Sequence, residues 1–297
     1  MSAKKFKGTG VAIITPFNVK GEIDWISLEK IVNYLNRYVD YLVVLGTTGE
    51  NPVLSDDEKL QVIQHVISYN AGKIPVVVGV GGYDSQDLSV KLKKISAIEG
   101  IDAILSVTPY YNKPSQIGLY EHYKLVAQSS ILPIILYNVP GRTGCNLLPE
   151  TILKLASDFS NIIGVKEASG NPEQIMNLIH KRKDGFLVIS GDDALTLPLI
   201  AAGADGLISV TANALPELVS RMVKAALNDT FSEARAIHYS ILDFTSYMFK
   251  EGSPAGVKSA LCHLNLCENV LRLPLVPVSI ELNQLIKSSM EKFTLNI

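Results

Sequence analysis

Lys166 ends a run of apolar and glycine residues, Ile162-Ile163-Gly164-Val165, and opens a polar turn, Glu167-Ala168-Ser169-Gly170. An ammonium carried to the end of a buried strand costs several kcal/mol unless it is paired or neutralised. Burial lowers the pKa of a lysine, and the neutral amine attacks carbonyl carbon, which is the first step of a Schiff-base enzyme. A lysine so placed can also pack its stem and carry its head to solvent, with no chemistry at all. Its neighbours decide between the two. Gly46-Thr47-Thr48-Gly49-Glu50 offers two hydroxyls and an acid, and Thr108-Pro109-Tyr110-Tyr111 offers two phenols. Tyr137-Asn138-Val139-Pro140-Gly141-Arg142-Thr143-Gly144 offers a phenol and a guanidinium, and Ser190-Gly191-Asp192-Asp193 two further acids. Hydroxyls can relay protons, and a guanidinium holds a carboxylate through two parallel hydrogen bonds. Each also has a plain packing alternative. Tyr137 can be a core aromatic with a satisfied hydroxyl, and Arg142 a surface residue on a glycine-flanked loop.

All of these strings follow short apolar runs. The runs are Gly10–Thr15, Tyr41–Gly46, Pro75–Val80, Ala103–Val107, Pro133–Asn138, Ile162–Lys166, Phe186–Gly191 and Gly206–Val210. Continuously apolar strands are those covered on both faces, as in parallel sheets. Between them lie segments of helical period, such as Leu28, Ile31, Val32 and Leu35, or Leu60, Ile63, Val66 and Ile67. Ser55 and Glu58 have capping-box spacing, and Asn171-Pro172 reads as an N-cap followed by the first helical residue. Eight strand–helix units predict a closed (β/α)8 TIM barrel over residues 1–228. A doubly wound sheet is the alternative, but Thr15-Pro16-Phe17-Asn18 is not the glycine-rich phosphate turn such a sheet usually carries after its first strand. Residues 229–297 lose the strand rhythm. Helices are predicted over Phe231–Phe249, Ser253–His263 and Ser279–Thr294, forming a C-terminal helical domain. In a barrel the chemistry gathers at the C-terminal strand ends, where Lys166 and its candidate partners fall. Gly164, two residues before Lys166 on the same strand face, is expected to leave room beside the amine.

The 297 residues are 47% hydrophobic, enough for one large core, and the formal net charge of −2 argues against a nucleic-acid or membrane-surface partner. No apolar run nears the ~20 residues of a membrane span, and Val11–Ile14 is too short for a signal peptide. Cys145, Cys262 and Cys267 are few and odd in number, as suits a reducing compartment. A soluble, cytoplasmic protein is therefore expected. No HExxH string, clustered histidines or zinc-spaced cysteine pair is present, so no metal is expected. His65, His122, His180, His238 and His263 fall mostly in predicted helices and read as packing residues.

Taken in order, these strand-end strings resemble the dihydrodipicolinate synthase family within the pyruvate-dependent class I aldolases. Gly46–Glu50 and Gly164–Glu167 mark the superfamily, and Tyr137–Gly144 with its arginine is more specific. The resemblance covers nearly the whole chain. It implies condensation of pyruvate with L-aspartate 4-semialdehyde to 4-hydroxy-tetrahydrodipicolinate, in lysine and diaminopimelate biosynthesis. It makes Lys166 the imine-forming lysine, and the covalent imine with pyruvate replaces any cofactor. Tyr137, Thr48 and Tyr111 become a proton relay, in which Tyr111 serves the adjoining subunit. Thr47 and Arg142 become carboxylate contacts for the two substrates, and Gly191 and Ile208 line the pyruvate site. Glu50 is read as structural, and Asp192 and Asp193 as a helix start. The resemblance also implies a homotetramer built as a dimer of dimers, with Tyr110 at the subunit contact.

Many members of that family are inhibited by lysine at a subunit interface. The corresponding positions here are Asn51, Pro52, Asp56, Lys59, Tyr83 and Asp87. Lys59 opposes a cationic effector, whereas Asp56, Asp87 and Tyr110 could favour one, and weak or absent lysine inhibition is expected. Two other functions stay open at this point: a related aldolase acting on sugar acids, and a barrel that binds a metabolite without catalysis.

Overall fold

The computed structural model describes residues 3–294. Eight strands, β1 (Gly8–Ala12), β2 (Tyr41–Val44), β3 (Val76–Val80), β4 (Ala103–Val107), β5 (Ile134–Asn138), β6 (Ile162–Glu167), β7 (Leu187–Ser190) and β8 (Gly206–Ser209), are all parallel. They follow one another in chain order, and β1 pairs with β8 from Gly8↔Gly206 to Val11↔Ser209, closing the barrel. Helices α1 (Trp25–Leu35), α2 (Asp56–Asn70), α3 (Ser85–Ile95), α4 (Gln116–Ser129), α5 (Pro140–Thr143), α6 (Pro149–Asp158), α7 (Pro172–Lys181) and α8 (Thr196–Ala201) connect successive strands. Helix α9 (Pro216–Leu227) follows β8, and α10 (Phe231–Tyr247), α11 (Ala255–His263) and α12 (Ile280–Thr294) come after it. The barrel and the three added helices agree with the sequence.

The apolar strands divide by a period of two. Leu42 and Val44 face the helices, while Tyr41 and Val43 face the barrel interior; Val76 and Val78 alternate with Val77 in the same way. The added helices share the outer layer, for Phe244, Leu282, Ile286 and Met290 belong to one cluster with the barrel's outward residues. Local signals fix the helix starts. Ser55 Oγ accepts from the Glu58 amide at 3.1 Å while the Glu58 carboxylate accepts from the Ser55 amide at 2.9 Å. Asn171 caps α7 by accepting from the Gln174 amide. Strand 1 begins and ends earlier than predicted. Ile13–Thr15 leave the barrel wall, and Thr15 Oγ1 donates to the Gly49 carbonyl at 2.7 Å, buttressing the turn after β2.

Arg272, in the stretch between α11 and α12, ties this part of the chain back to the barrel. It donates to both Glu58 oxygens at 2.9 and 2.6 Å and to the carbonyls of Gly21 and Val53. The Arg272 hydrogen bond holds the Glu58 carboxyl down at about 2, against an ordinary value of 4.5. A carboxyl whose folded pKa lies below its unfolded one stabilises the fold above the unfolded value, and that contribution is lost as pH falls towards the folded value. Glu58→Gln keeps the reach needed for the capping box. The variant is expected to be less stable than the parent at pH 7, and the gap should close between about pH 4.5 and pH 2 in denaturant titrations. A gap that stays constant across that window would contradict this account.

Candidate active site

Lys166 lies on β6, opposite Tyr137 on β5 and Ile189 on β7. It is 6% exposed, and its Nζ stands 4.3 Å from the centroid of the Tyr137 ring. Among the described residues it makes no ion pair: the Tyr137 ring is its direct neighbour, and the buried Asp193 carboxylate acts on it only through the field. The amine opens on a cavity of about 240 Å³ at the C-terminal ends of the strands. Thr47, Thr48, Tyr137, Arg142, Lys166 and Gly191 all line that cavity. The sequence places them at strand ends, and the barrel brings them together.

Each is held by its local structure. Thr47 and Thr48 occupy a single 3-10 turn, Thr47–Gly49, directly after β2. Arg142 lies on the one-turn helix α5, which ends at Gly144 with φ of 74°. The single Thr143 hydroxyl proton is shared between the carbonyls of Val139, at 3.2 Å, and Cys145, at 3.0 Å, and fixes that turn. The Arg142 side chain is exposed and makes no ion pair among the described residues, which leaves its guanidinium for a ligand carboxylate. Behind the site, Glu167 points away from Lys166 into a buried amide network. It accepts from Asn138 Nδ2 at 3.1 and 3.2 Å, from the Ser169 amide at 2.8 Å and from Gln174 Nε2 at 3.3 Å. Burial pushes its carboxyl above the usual range, against those hydrogen bonds. Asn138 also accepts from the Leu147 amide, so β5, β6 and the chain following Arg142 are locked to one another.

Several expectations need correction. The room at Gly164 serves the next strand and not the amine: a Cβ there would stand 2.8 Å from both Cβ and O of Leu187. Gly191 makes the space for Lys166, because a Cβ there would stand 2.9 Å from Lys166 Cε and 2.7 Å from the Ala168 Cβ. Asp193 does not start a helix, since α8 begins at Thr196. Its buried carboxylate accepts from Ser209 Oγ and, at 3.0 Å, from the Val210 amide, joining the ends of β7 and β8. Asp192 forms the turn before α8, accepting from the amides of Ala194 and Leu195. Glu50 is structural as expected, with its carboxylate buried against Lys258.

Two of the expected site residues stand apart. The Ile208 side chain is buried in the barrel interior and is not among the cavity-lining residues. Tyr111 is 88% exposed, has φ of 73°, and lies outside the cavity. Among the described residues no hydrogen bond joins Thr48 to Tyr137. Phe249 and Ser253, just after α10, are not anticipated from the sequence, yet they line the cavity. They lie outside the strand rhythm, and no local signal marks them.

A second cavity, of about 660 Å³, adjoins the first and shares Gly46, Thr47, Tyr137 and Arg142 with it. Asn51, Pro52, Lys59, Tyr83, Asp87 and Tyr110 line it, together with Lys91. Lys59 pairs with Asp56 at 3.3 Å, and Lys91 pairs with Asp87 at 3.0 Å and with Asp56 at 3.8 Å. Among the described residues no group of three or more His, Cys, Asp or Glu could hold a metal ion, and no helix is long and apolar enough to cross a membrane.

Comparison with known proteins follows the same outline. A sequence profile of the dihydrodipicolinate synthetase family matches residues 5–292. The 4-hydroxy-tetrahydrodipicolinate synthase of Parabacteroides distasonis is 51% identical over 281 residues, 94% of each chain. The crystal structure of dihydrodipicolinate synthase from Aquifex aeolicus is 40% identical and superposes with a TM-score of 0.94, covering 98% of this chain and 99% of that one. That of the chloride-inhibited synthase from Acinetobacter baumannii, complexed with pyruvate, is 38% identical with a TM-score of 0.93, covering 96% and 98%.

Proposed function

The chain belongs to the dihydrodipicolinate synthetase family, and from that premise we propose how its own residues carry out the synthase reaction. The protein is a class I aldolase-type lyase that condenses pyruvate with L-aspartate 4-semialdehyde to 4-hydroxy-tetrahydrodipicolinate and water, on the route to diaminopimelate and lysine. The observation that carries the residue assignment is the buried Lys166 amine, without a counter-ion among the described residues, over the Tyr137 ring in a cavity lined by Thr47, Thr48 and Arg142.

In its unprotonated form, Lys166 Nζ attacks the ketone of pyruvate, and the carbinolamine loses water to give the protonated imine. That cation is the electron sink, so loss of a methyl proton gives an enamine and no cofactor is required. Enamine carbon adds to the aldehyde, and the resulting alkoxide takes a proton. The amino group of the former semialdehyde then attacks the imine carbon, closes the ring and releases Lys166. Tyr137, next to Nζ, passes the protons. Thr48 lies in the adjoining turn, and Tyr111, exposed on its own chain, serves the site of a second subunit. Thr47 holds the pyruvate carboxylate, beside Gly191 and the backbone of Ile208. Arg142 binds the carboxylate of the semialdehyde.

The incomplete relay of the single chain supports a dimer as the working unit, and a dimer of dimers as the assembly. We assign residues 1–228 to a catalytic barrel domain and 229–297 to a helical domain, a division that the closed barrel and helices α10–α12 of the described residues support. Three free thiols, Cys145, Cys262 and Cys267, support a cytoplasmic setting.

The test is borohydride reduction in the presence of pyruvate, followed by peptide mapping. One pyruvyl adduct on Lys166 is expected, and its absence would refute the assignment. The acceptor is tested separately: at a fixed pyruvate concentration, aspartate 4-semialdehyde should be used in preference to sugar aldehydes. Equal use of both would assign Arg142 some other role.

Weak or absent feedback by lysine is the expected property of the second cavity. Its two lysines already neutralise Asp56 and Asp87, and the hydrogen bond that Lys91 donates to Asp87 raises the Lys91 ammonium above its usual range. A cationic effector would have to displace them. Strong inhibition by millimolar or lower lysine in a steady-state titration would contradict this.

A further inference from the structure

The turn that carries Thr47 and Thr48 lies between two non-glycine residues in the left-handed region, Leu45 at φ of 56° and Glu50 at φ of 53°. A residue with a Cβ holds that conformation only where its surroundings enforce it. At the first end, Asn51 Nδ2 donates to the Leu45 carbonyl at 2.9 Å. At the second end the restraint comes from far along the chain. One Glu50 oxygen pairs with Lys258 Nζ, both side chains being fully buried, and the other accepts from the Arg272 amide at 3.1 Å. Lys258 also donates to the Val270 carbonyl at 2.8 Å. Its Nζ and the Arg272 guanidinium both lie against the Phe17 ring, 4.1 and 4.5 Å from the centroid.

A fully buried ion pair is a poor stabiliser, because desolvation offsets the attraction, and well-packed apolar residues commonly do as well. What it provides is a fixed geometry, because Lys258 is held by the Val270 carbonyl and Glu50 by the Arg272 amide, directional contacts that no apolar pair supplies. We propose that Glu50 and Lys258 are a positioning pair, by which the helical segment after the barrel sets the Thr47–Thr48 turn in the cavity. The inference rests on the roles given above to Thr47 and Thr48. It makes α11 part of the catalytic apparatus, although Lys258 touches neither substrate.

Two variants test it. Glu50→Asp keeps the charge and shortens the side chain by one methylene, so the carboxylate reaches Lys258 only by drawing the turn towards it. Glu50→Gln with Lys258→Met removes both charges and preserves volume. Both should melt cooperatively and still trap pyruvate on Lys166 with borohydride. Per mole of folded protein, kcat should fall by ~10-fold or more and the pyruvate KM should rise, since small misplacements of catalytic groups act on this scale. In a Thr47→Val, Thr48→Val background, Glu50→Asp should cost less than about twofold further, because the groups it positions are gone. A purely structural pair predicts the reverse: folded variants with kcat and KM within about twofold of the parent, or fully additive effects in that background, and either result overturns the proposal. If the parent itself traps no pyruvate on Lys166, the reading of the site falls first. If the parent traps it and the variants match the parent, only the positioning role falls.

Discussion

Lys166→Ala is expected to abolish the pyruvate adduct and to lower turnover by roughly 10⁴-fold or more, the scale on which removal of a catalytic nucleophile acts. The chain holds a second deeply buried lysine, Lys258. It cannot substitute, because its ammonium is paired with Glu50, donates to the Val270 carbonyl and is fully enclosed. Lys166 differs in each respect: it has no carboxylate partner among the described residues, and it faces a cavity able to admit a three-carbon acid. The same comparison predicts the effect on stability. Removing Lys258 alone would leave Glu50 as an unpaired buried charge, whereas on removal of Lys166 the buried Asp193 carboxylate, which feels the lysine's charge, keeps its hydrogen bonds from Ser209 Oγ and the Val210 amide. Lys166→Ala should therefore melt at or above the temperature of the parent, as when a functional residue is exchanged for a neutral one. Mass spectrometry after borohydride reduction gives the decisive reading. An adduct that persists in the variant, on Lys258 or elsewhere, would overturn the assignment of the nucleophile.

What could be read from the sequence follows from how local the cause is. The strands were legible because each is a short run of Val, Ile and Leu buried on both faces, and Lys166 because it interrupts such a run. Thr47, Thr48, Tyr137 and Arg142 were legible as a group, since a barrel brings every strand's C-terminal end to one rim. Contacts set by lateral register were not. Gly164 and Gly191 look alike in sequence, and only the alignment of β6 with β7 shows that one makes room for Leu187 and the other for Lys166. Asp193 resembles a helix start in sequence for the same reason, its partners Ser209 and Val210 lying at the end of the next strand. Lys258 shows a further limit. It stands among small and apolar residues, Ala255-Gly256-Val257 and Ser259-Ala260-Leu261, and gives the signal that singled out Lys166. Partnership tells the two apart, and Glu50 is 208 positions away.

Tyr137→Phe is expected to lower kcat by roughly 10²- to 10⁴-fold, the range of general acid–base catalysis, while leaving the fold intact. The substitution separates two things that the tyrosine provides. Its ring packs in the barrel interior and presents its face to Lys166 Nζ at 4.3 Å, and phenylalanine retains both features. Only the hydroxyl is lost. Among the described residues that hydroxyl makes no hydrogen bond, so its removal leaves no buried donor or acceptor unsatisfied, and the change in stability should stay within about 0.5 kcal/mol. The nucleophile is untouched, so borohydride should still trap pyruvate on Lys166, though more slowly, because dehydration of the carbinolamine also needs a proton. Slow turnover with a trappable imine and an unchanged melting temperature is therefore the signature of a proton carrier. Two results would argue against it. Turnover near that of the parent would mean that the ring alone matters, through packing and its face toward the amine. A large loss of stability would mean that the hydroxyl is a structural anchor, and the proton path would then have to run through Thr48 without it.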